Sequence, residues 1–287
     1  DSFGTEPDLQ QAEWRFQNAY SCFVVLEEKS HDDKLQYQIG QMLHTGTGTS
    51  KDDEGAARYW EKSAKLGNIN AQYALGTLWL ETGSGDSGQA VEWLTKAANA
   101  EHSAAQYVLG KLYQDGVYFN KDMDQAMKWF RSAAELGNEH AAYRMGCLLL
   151  LGEEIPKDVE VAVKWLNLSA EKGNQYAQYA LGKLYLCGRD ISRDREKAVE
   201  YLTASAEQGN LYASFLLEHL DAYRDPSLFL AATRLLHHLE KLFCEEVQRS
   251  MEMKRYQVDR KRRRKLSEKK QAQGHHRDDQ EPTQGIY

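Results

Sequence analysis

The sequence predicts an all-α fold, a solenoid of stacked helix pairs, and three observations carry that prediction. The first is repetition: AQYALGTL begins at Ala71, AQYVLGKL at Ala105, AAYRMGCL at Ala141 and AQYALGKL at Ala177. The glycines Gly40, Gly76, Gly110, Gly146 and Gly182 lie 36, 34, 36 and 36 residues apart. A period of roughly 20–50 residues marks repeat architectures. The second is a later segment that recurs just as regularly, beginning at Ala56, Ala90, Ala126, Ala162 and Ala198 and carrying Tyr59, Trp93, Trp129, Trp165 and Tyr201. The third is where the period slips. From the repeat Gly to the later Ala is 16, 14, 16, 16 and 16 residues, whereas from that Ala to the next unit (71, 105, 141, 177, 213) is always 15. A packed helix cannot lose two residues without turning its face away, but a surface turn can.

Taken in chain order, residues 1–34 supply an N-terminal capping helix. EWRFQNAYSCFVVLEEK, from Glu13 to Lys29, places Phe16, Ala19, Tyr20, Phe23 and Val24 at helical spacing, with Trp14 near its start. Residues 35–221 form the solenoid, five units and a half-unit. In the first helix of a unit Ala177, Leu181 and Leu184 share a face; in the second, Ala198, Tyr201, Leu202, Ser205 and Ala206 alternate bulky and small. Gly116, Gly152 and Gly188 stop the first helix, and Asp122, Asp158 and Asp194 start the second. Gly137-Asn138, Gly173-Asn174 and Gly209-Asn210 are expected to end the second helix. The second unit has Glu101-His102 there instead. The repeat Gly inside the first helix costs about 1 kcal/mol against Ala, so its recurrence predicts a neighbouring helix too close for a Cβ.

One helix pair this short cannot bury its own apolar face, so stability must come from neighbours. Residues 222–249 are expected to cap the far end, since Leu228 to Val247 places Ala232, Leu235, Leu236, Leu239, Leu242 and Phe243 on one side. Residues 250–287 form a basic tail that is helix-permissive to Gln273 and too polar to fold beyond Gly274.

Charge divides the chain. Between residues 249 and 277 twelve Lys or Arg face only Glu252, Asp259 and Glu268, a balance of +9. The whole chain is at −7 and its last ten residues at −3, so residues 1–248 carry −13. An acidic body with a basic tail implies two different jobs. Cys22, Cys147, Cys187 and Cys244 form no CxxC pair, which fits reduced cysteines in a cytoplasmic protein. No run of about 18 apolar residues exists to span a membrane. The chain opens without Met on DSFGTEP, and is expected to be a fragment or a processed product.

The combined pattern A-x-x-x-L-G-x-L-Y, a Gly-bearing turn, D-x-x-x-A-x-x-W and A-A-x-x-G-N resembles the Sel1-like repeat family, relatives of tetratricopeptide repeats. The resemblance covers about Leu35 to Tyr212. It implies a right-handed superhelical α-solenoid that holds a protein or peptide partner in a concave groove. By the tetratricopeptide registration, Tyr37, Tyr73, Tyr107, Tyr143, Tyr179 and Phe215 line that groove. Gln41, Thr77, Lys111, Cys147 and Lys183 lie beside them. The residues themselves leave a second reading open, in which each ring packs against the preceding repeat and only its hydroxyl shows.

Chemistry finds no foothold in the sequence. GxGxxG after a strand, GxxxxGK[ST], HExxH and GxSxG are all missing, so no catalytic residue, cofactor or small-molecule substrate is assigned. The carboxylate pairs Glu27-Glu28 and Glu153-Glu154 are expected to be solvated, and neither His237-His238 nor His275-His276 with Asp278-Asp279 is assigned a metal. The run Arg260, Lys261, Arg262, Arg263, Arg264 and Lys265 suits DNA phosphates, with an acidic protein, the acidic body or plain solvation as alternatives. VDRKRRRKLSEKKQAQGHHRDD also resembles the C-terminal end of mobilisation relaxases from mobile elements of Gram-positive bacteria, some of which carry Sel1-like repeats. That resemblance implies a conjugative mobilisation protein whose DNA-nicking domain lies upstream. The alternative is a free-standing bacterial adaptor with no nucleic-acid role.

Overall fold

In the computed structural model, residues 9–83 and 87–220 are described. The expected capping helix at 222–249, the tail at 250–287 and the tip of the second unit's turn at Gly85 and Asp86 lie outside them. Twelve helices and no strand occupy the described residues. They run α1 (Leu9–Ser30), α2 (Asp33–Thr45), α3 (Asp53–Lys65), α4 (Ile69–Thr82), α5 (Ser87–Asn99), α6 (Ser103–Asp115), α7 (Met123–Glu135), α8 (Glu139–Leu151), α9 (Val159–Glu171), α10 (Gln175–Cys187), α11 (Arg195–Glu207) and α12 (Leu211–Glu218). From α2 onward each helix packs on the one before and the one after, the first helix of a unit most closely on its own second helix.

The close approach comes from the repeat glycines. A Cβ on Gly110 would meet the Phe130 ring at 2.5 Å, and one on Gly146 would meet Leu166 Cγ at 2.6 Å. Gly40, Gly76 and Gly182 stand in the same relation to Trp60, Leu94 and Leu202. Phe130, Leu94, Leu166 and Leu202 are completely buried, each one residue beyond the aromatic that marks the second helix in the sequence. Burying such a side chain is worth about 1.5–3 kcal/mol, which outweighs the helix-propensity cost of the glycine opposite.

The marker aromatics interlock the units. Trp93, Trp129, Trp165 and Tyr201 pack on hydrophobic clusters that join the preceding unit's second helix to their own unit's first helix. Tyr201 also donates its hydroxyl to Asn167 Oδ1 of the previous second helix at 3.0 Å. Buried glutamines, which the apolar pattern passes over, add a polar clasp. Gln72, Gln106 and Gln178 donate through Nε2 to the carbonyls of Ala64, Ala98 and Ala170 near the end of the preceding helix. In the fourth unit the equivalent residue is Ala142.

Asp52, Asp122, Asp158 and Asp194 cap α3, α7, α9 and α11, accepting from backbone amides at 2.9 to 3.1 Å. First helices stop on left-handed glycines such as Gly152 (φ +66°). The Gly-Asn pairs divide their labour differently from expectation. Gly137, Gly173 and Gly209 turn the chain with φ near +90°, but Asn138, Asn174 and Asn210 cap the start of the next helix.

Glu101-His102 keeps this turn without either residue. Glu101 takes the left-handed conformation (φ +62°), and His102 caps α6 by accepting the Ala105 amide at Nδ1, 3.2 Å away. His102 also stacks on Tyr73, with centroids 4.6 Å apart. Burial holds the His102 pKa below its ordinary value, with a hydrogen bond to its own backbone opposing. A protonated ring cannot accept at Nδ1. Because the folded pKa is depressed, this contribution is present above the ordinary value of about 6.5 and is lost as pH falls through the folded pKa. His102→Asn, the residue other units use, is expected to remove that acid step and to leave the chain about 1 kcal/mol more stable at pH 5. Urea melts at pH 7.5 and 5 check it.

The N-terminal cap differs in detail from the sequence reading. Tyr20, Phe23 and Val24 of α1 pack on the first unit's core, but Phe16 is half exposed, as are Trp14, Val25 and Leu26. Glu27, expected to be solvated, is buried. It accepts from Gln36 Nε2 at 2.8 Å, with His31 Nδ1 at 3.8 Å and Lys62 Nζ at 4.0 Å. Its partner in sequence, Glu28, is exposed.

Candidate functional site: the first-helix tyrosine stripe

The recurring tyrosines fall on one side of the first helices. Tyr37, Tyr73, Tyr107, Tyr143 and Tyr179 are half-buried, and Phe215 is 41% exposed. Tyr73, Tyr107 and Tyr143 pack forward, against their own second helix and the first helix of the following unit. The packing alternative pointed backward, to the preceding unit; the direction is opposite because the ring spans the space between successive first helices. Burial raises the hydroxyl pKa of Tyr37, Tyr73 and Tyr107 above the ordinary phenol value. At Tyr107 the Arg144 guanidinium opposes that rise and Asp115 adds to it.

Tyr107, Tyr143 and Tyr179 each meet a second aromatic one unit further along. Tyr107 pairs with His140 (centroids 6.2 Å apart), Tyr143 with Tyr176 (6.1 Å) and Tyr179 with Tyr212 (6.1 Å). Phe215 stacks on His219 at 4.3 Å. The stripe is therefore a double row, and its outer members meet solvent: Tyr176 is 52% and Tyr212 45% exposed. The sequence reading missed the outer members. The signal was available, since Tyr176 and Tyr212 stand three residues before Tyr179 and Phe215 and so share their helix face.

Of the residues expected beside the stripe, Thr77 turns its hydroxyl inward to the Tyr73 carbonyl at 2.9 Å, whereas Lys183 lies over the Tyr179 ring, Nζ 5.9 Å from its centroid. Gln41 is exposed, and Lys111 and Cys147 are half-buried. Cys22, Cys147 and Cys187 are in no disulfide among the described residues, and burial pushes the Cys187 thiol pKa up. Among the described residues, no three His, Cys, Asp or Glu side chains converge as metal ligands. None of the described helices is long and apolar enough to cross a membrane. The sequence-predicted DNA-contacting run, Arg260 to Lys265, lies outside the described residues.

Comparison with known proteins agrees with this architecture. The Sel1 repeat family model matches five times, at residues 34–68, 69–102, 103–138, 139–174 and 175–210, together well over half of the chain. A Sel1 repeat protein from Oxalobacter formigenes superposes with a TM-score of 0.64 at 31% identity, covering 76% of this chain and 91% of that one. A protective antigen of uropathogenic Escherichia coli with an SLR fold gives 0.60 at 30% identity, over 69% of this chain and 43% of that one. Chitin synthase regulatory factor 1 of Schizosaccharomyces pombe is 32% identical over 125 residues, 42% of this chain and 26% of its own length. The chain thus spans less than half of the last two proteins. Five consecutive matches, together with a solved relative covered almost end to end, establish that the chain belongs to the Sel1 repeat family.

Proposed function

We propose that this chain is a non-enzymatic protein-interaction scaffold whose first-helix stripe holds an extended segment of a protein partner. The observation that carries the reading is the double aromatic row from Tyr107 to Phe215, with Tyr176, Tyr212 and Phe215 open to solvent. Tyrosine suits such a surface because it offers a large, stiff contact area with a polar tip at little entropic cost. A photo-crosslinking amino acid placed at Tyr176, and for comparison at exposed Arg131 on α7, tests it in the native cells. Crosslinked partner is expected from position 176 alone; capture at 131 and not at 176 would overturn the reading.

The finer placement is the C-terminal region of a cytoplasmic conjugative mobilisation protein whose tail touches DNA. It rests on the sequence of residues 249–277, beyond the residues that the family model matches. If Arg260 to Lys265 meet about six phosphates, log K should fall with log salt at a slope of about −5. DNA binding by the full chain is then expected to drop about 10³-fold between 50 and 200 mM salt and to vanish on truncation at Ser250. Binding that survives truncation, or its absence at low salt, returns the chain to a free-standing adaptor with no nucleic-acid role.

A further inference from the structure

The geometry of the stripe limits what it can hold. Among the described residues every element is a helix, so no strand edge is present to pair with a partner's backbone. Tyr143 and Tyr176 are inclined at 37°, and Tyr179 and Tyr212 at 46°, so neither ring of a pair covers the face of the other as full stacking would. Phe215 and His219, by contrast, are stacked at 27°. Tyr176 and Tyr212 keep about half of their surface in solvent, and with Phe215 they make an uncharged exposed row.

Spacing narrows the choice further. Tyr143 and Tyr176 have centroids 6.1 Å apart. Tyr176 and Tyr179 stand three residues apart on one helix, which adds about 5–6 Å. Equivalent rings in successive units therefore recur within about 12 Å, and one three-residue turn of polyproline II advances about 9 Å. The contact is shallow, because the outer rings are half exposed, so a ligand that surrenders much entropy gains little from it. A proline-rich segment has that cost lowered beforehand, since each pyrrolidine already fixes φ. Its backbone offers carbonyls and no N–H, and the phenol hydroxyls of Tyr176 and Tyr212 are donors that suit it.

We propose that the segment held by the stripe is proline-rich and binds as a polyproline II helix, its rings laid on the Tyr143–Tyr176 and Tyr179–Tyr212 pairs. Prolines three or four residues apart meet successive pairs, and the aromatic faces take up the flat pyrrolidines. The proposal rests on the stripe being the binding face and adds the chemistry of what binds there.

Fluorescence anisotropy of the full chain with fluorescein-labelled deca-proline tests it, with a labelled decapeptide of alternating Gly and Ser as the flexible control. Saturable binding of deca-proline alone is expected. Tyr176→Ser with Tyr212→Ser should weaken it about tenfold or more, as loss of central aromatic contacts does. Tyr176→Phe with Tyr212→Phe keeps the ring faces and should retain most of the affinity, which separates contact from any loss of fold. Tyr118→Ser, at an exposed tyrosine in the turn of the third unit, should change nothing. No saturable binding of deca-proline, equal binding of the Gly-Ser control, or a Phe pair as weak as the Ser pair would overturn the proposal. If deca-proline fails while a crosslinker at Tyr176 still captures partner, the polyproline chemistry falls and the binding face stands. If neither holds, the face itself is wrong.

Discussion

Gly146→Leu is expected to lower stability by about 3 kcal/mol, the upper end of the usual range for overpacking a close crossing. A Cβ at that position would lie 2.6 Å from Leu166 Cγ and 3.2 Å from the Ala162 carbonyl oxygen, and Leu166 is completely buried. Neither neighbour can yield cheaply, because one is packed on all sides and the other is helix backbone. The remaining leucine atoms then force α8 and α9 apart. In a solenoid that displacement is passed to the contacts of α7 and α10 as well. A drop of roughly 6–12 °C in melting temperature should follow for a unit of this size. A variant melting with the wild type would mean that the helices do not cross as closely as the repeat requires.

The second large effect is expected from Tyr107→Ser combined with Tyr143→Ser. These rings fill the space between successive first helices and pack on the clusters of α7, α8, α9 and α10. Both are half-buried rather than fully enclosed, so the loss should fall below that of a core Phe→Ala change, about 3 kcal/mol for the pair. Thermal melts read it directly. A loss of only a few tenths would mean that the rings are surface alone.

Periodicity made the fold legible. The invariant 15-residue interval and the recurring Gly fixed helix number, turn position and the close crossing, because each depends on the same packing being repeated. Less visible was anything that depends on which neighbour a side chain meets. Glu27 reads as a solvated carboxylate until α1 is laid on α2 and α3, where Gln36 and Lys62 come from other helices. Gln72 reads as a polar surface residue until the preceding helix offers its Ala64 carbonyl. The stripe was half legible. Its inner tyrosines announce themselves by recurring, but Tyr176 and Tyr212 have no aromatic counterpart at Asn70 or Ala104, so repetition alone does not mark them.

The central claim is that the inner tyrosines hold the units together while the outer ones meet the partner. Capture of the native partner by the double variant Tyr176→Ser with Tyr212→Ser tests it most directly, its melt being recorded beside that of the Tyr107→Ser, Tyr143→Ser pair. Tyr176 and Tyr212 are about half exposed, so their removal should change stability by under about 1 kcal/mol, while capture is lost. Capture at the wild-type level by a variant that melts normally would contradict the account, and so would a melt as damaged as that of the inner pair.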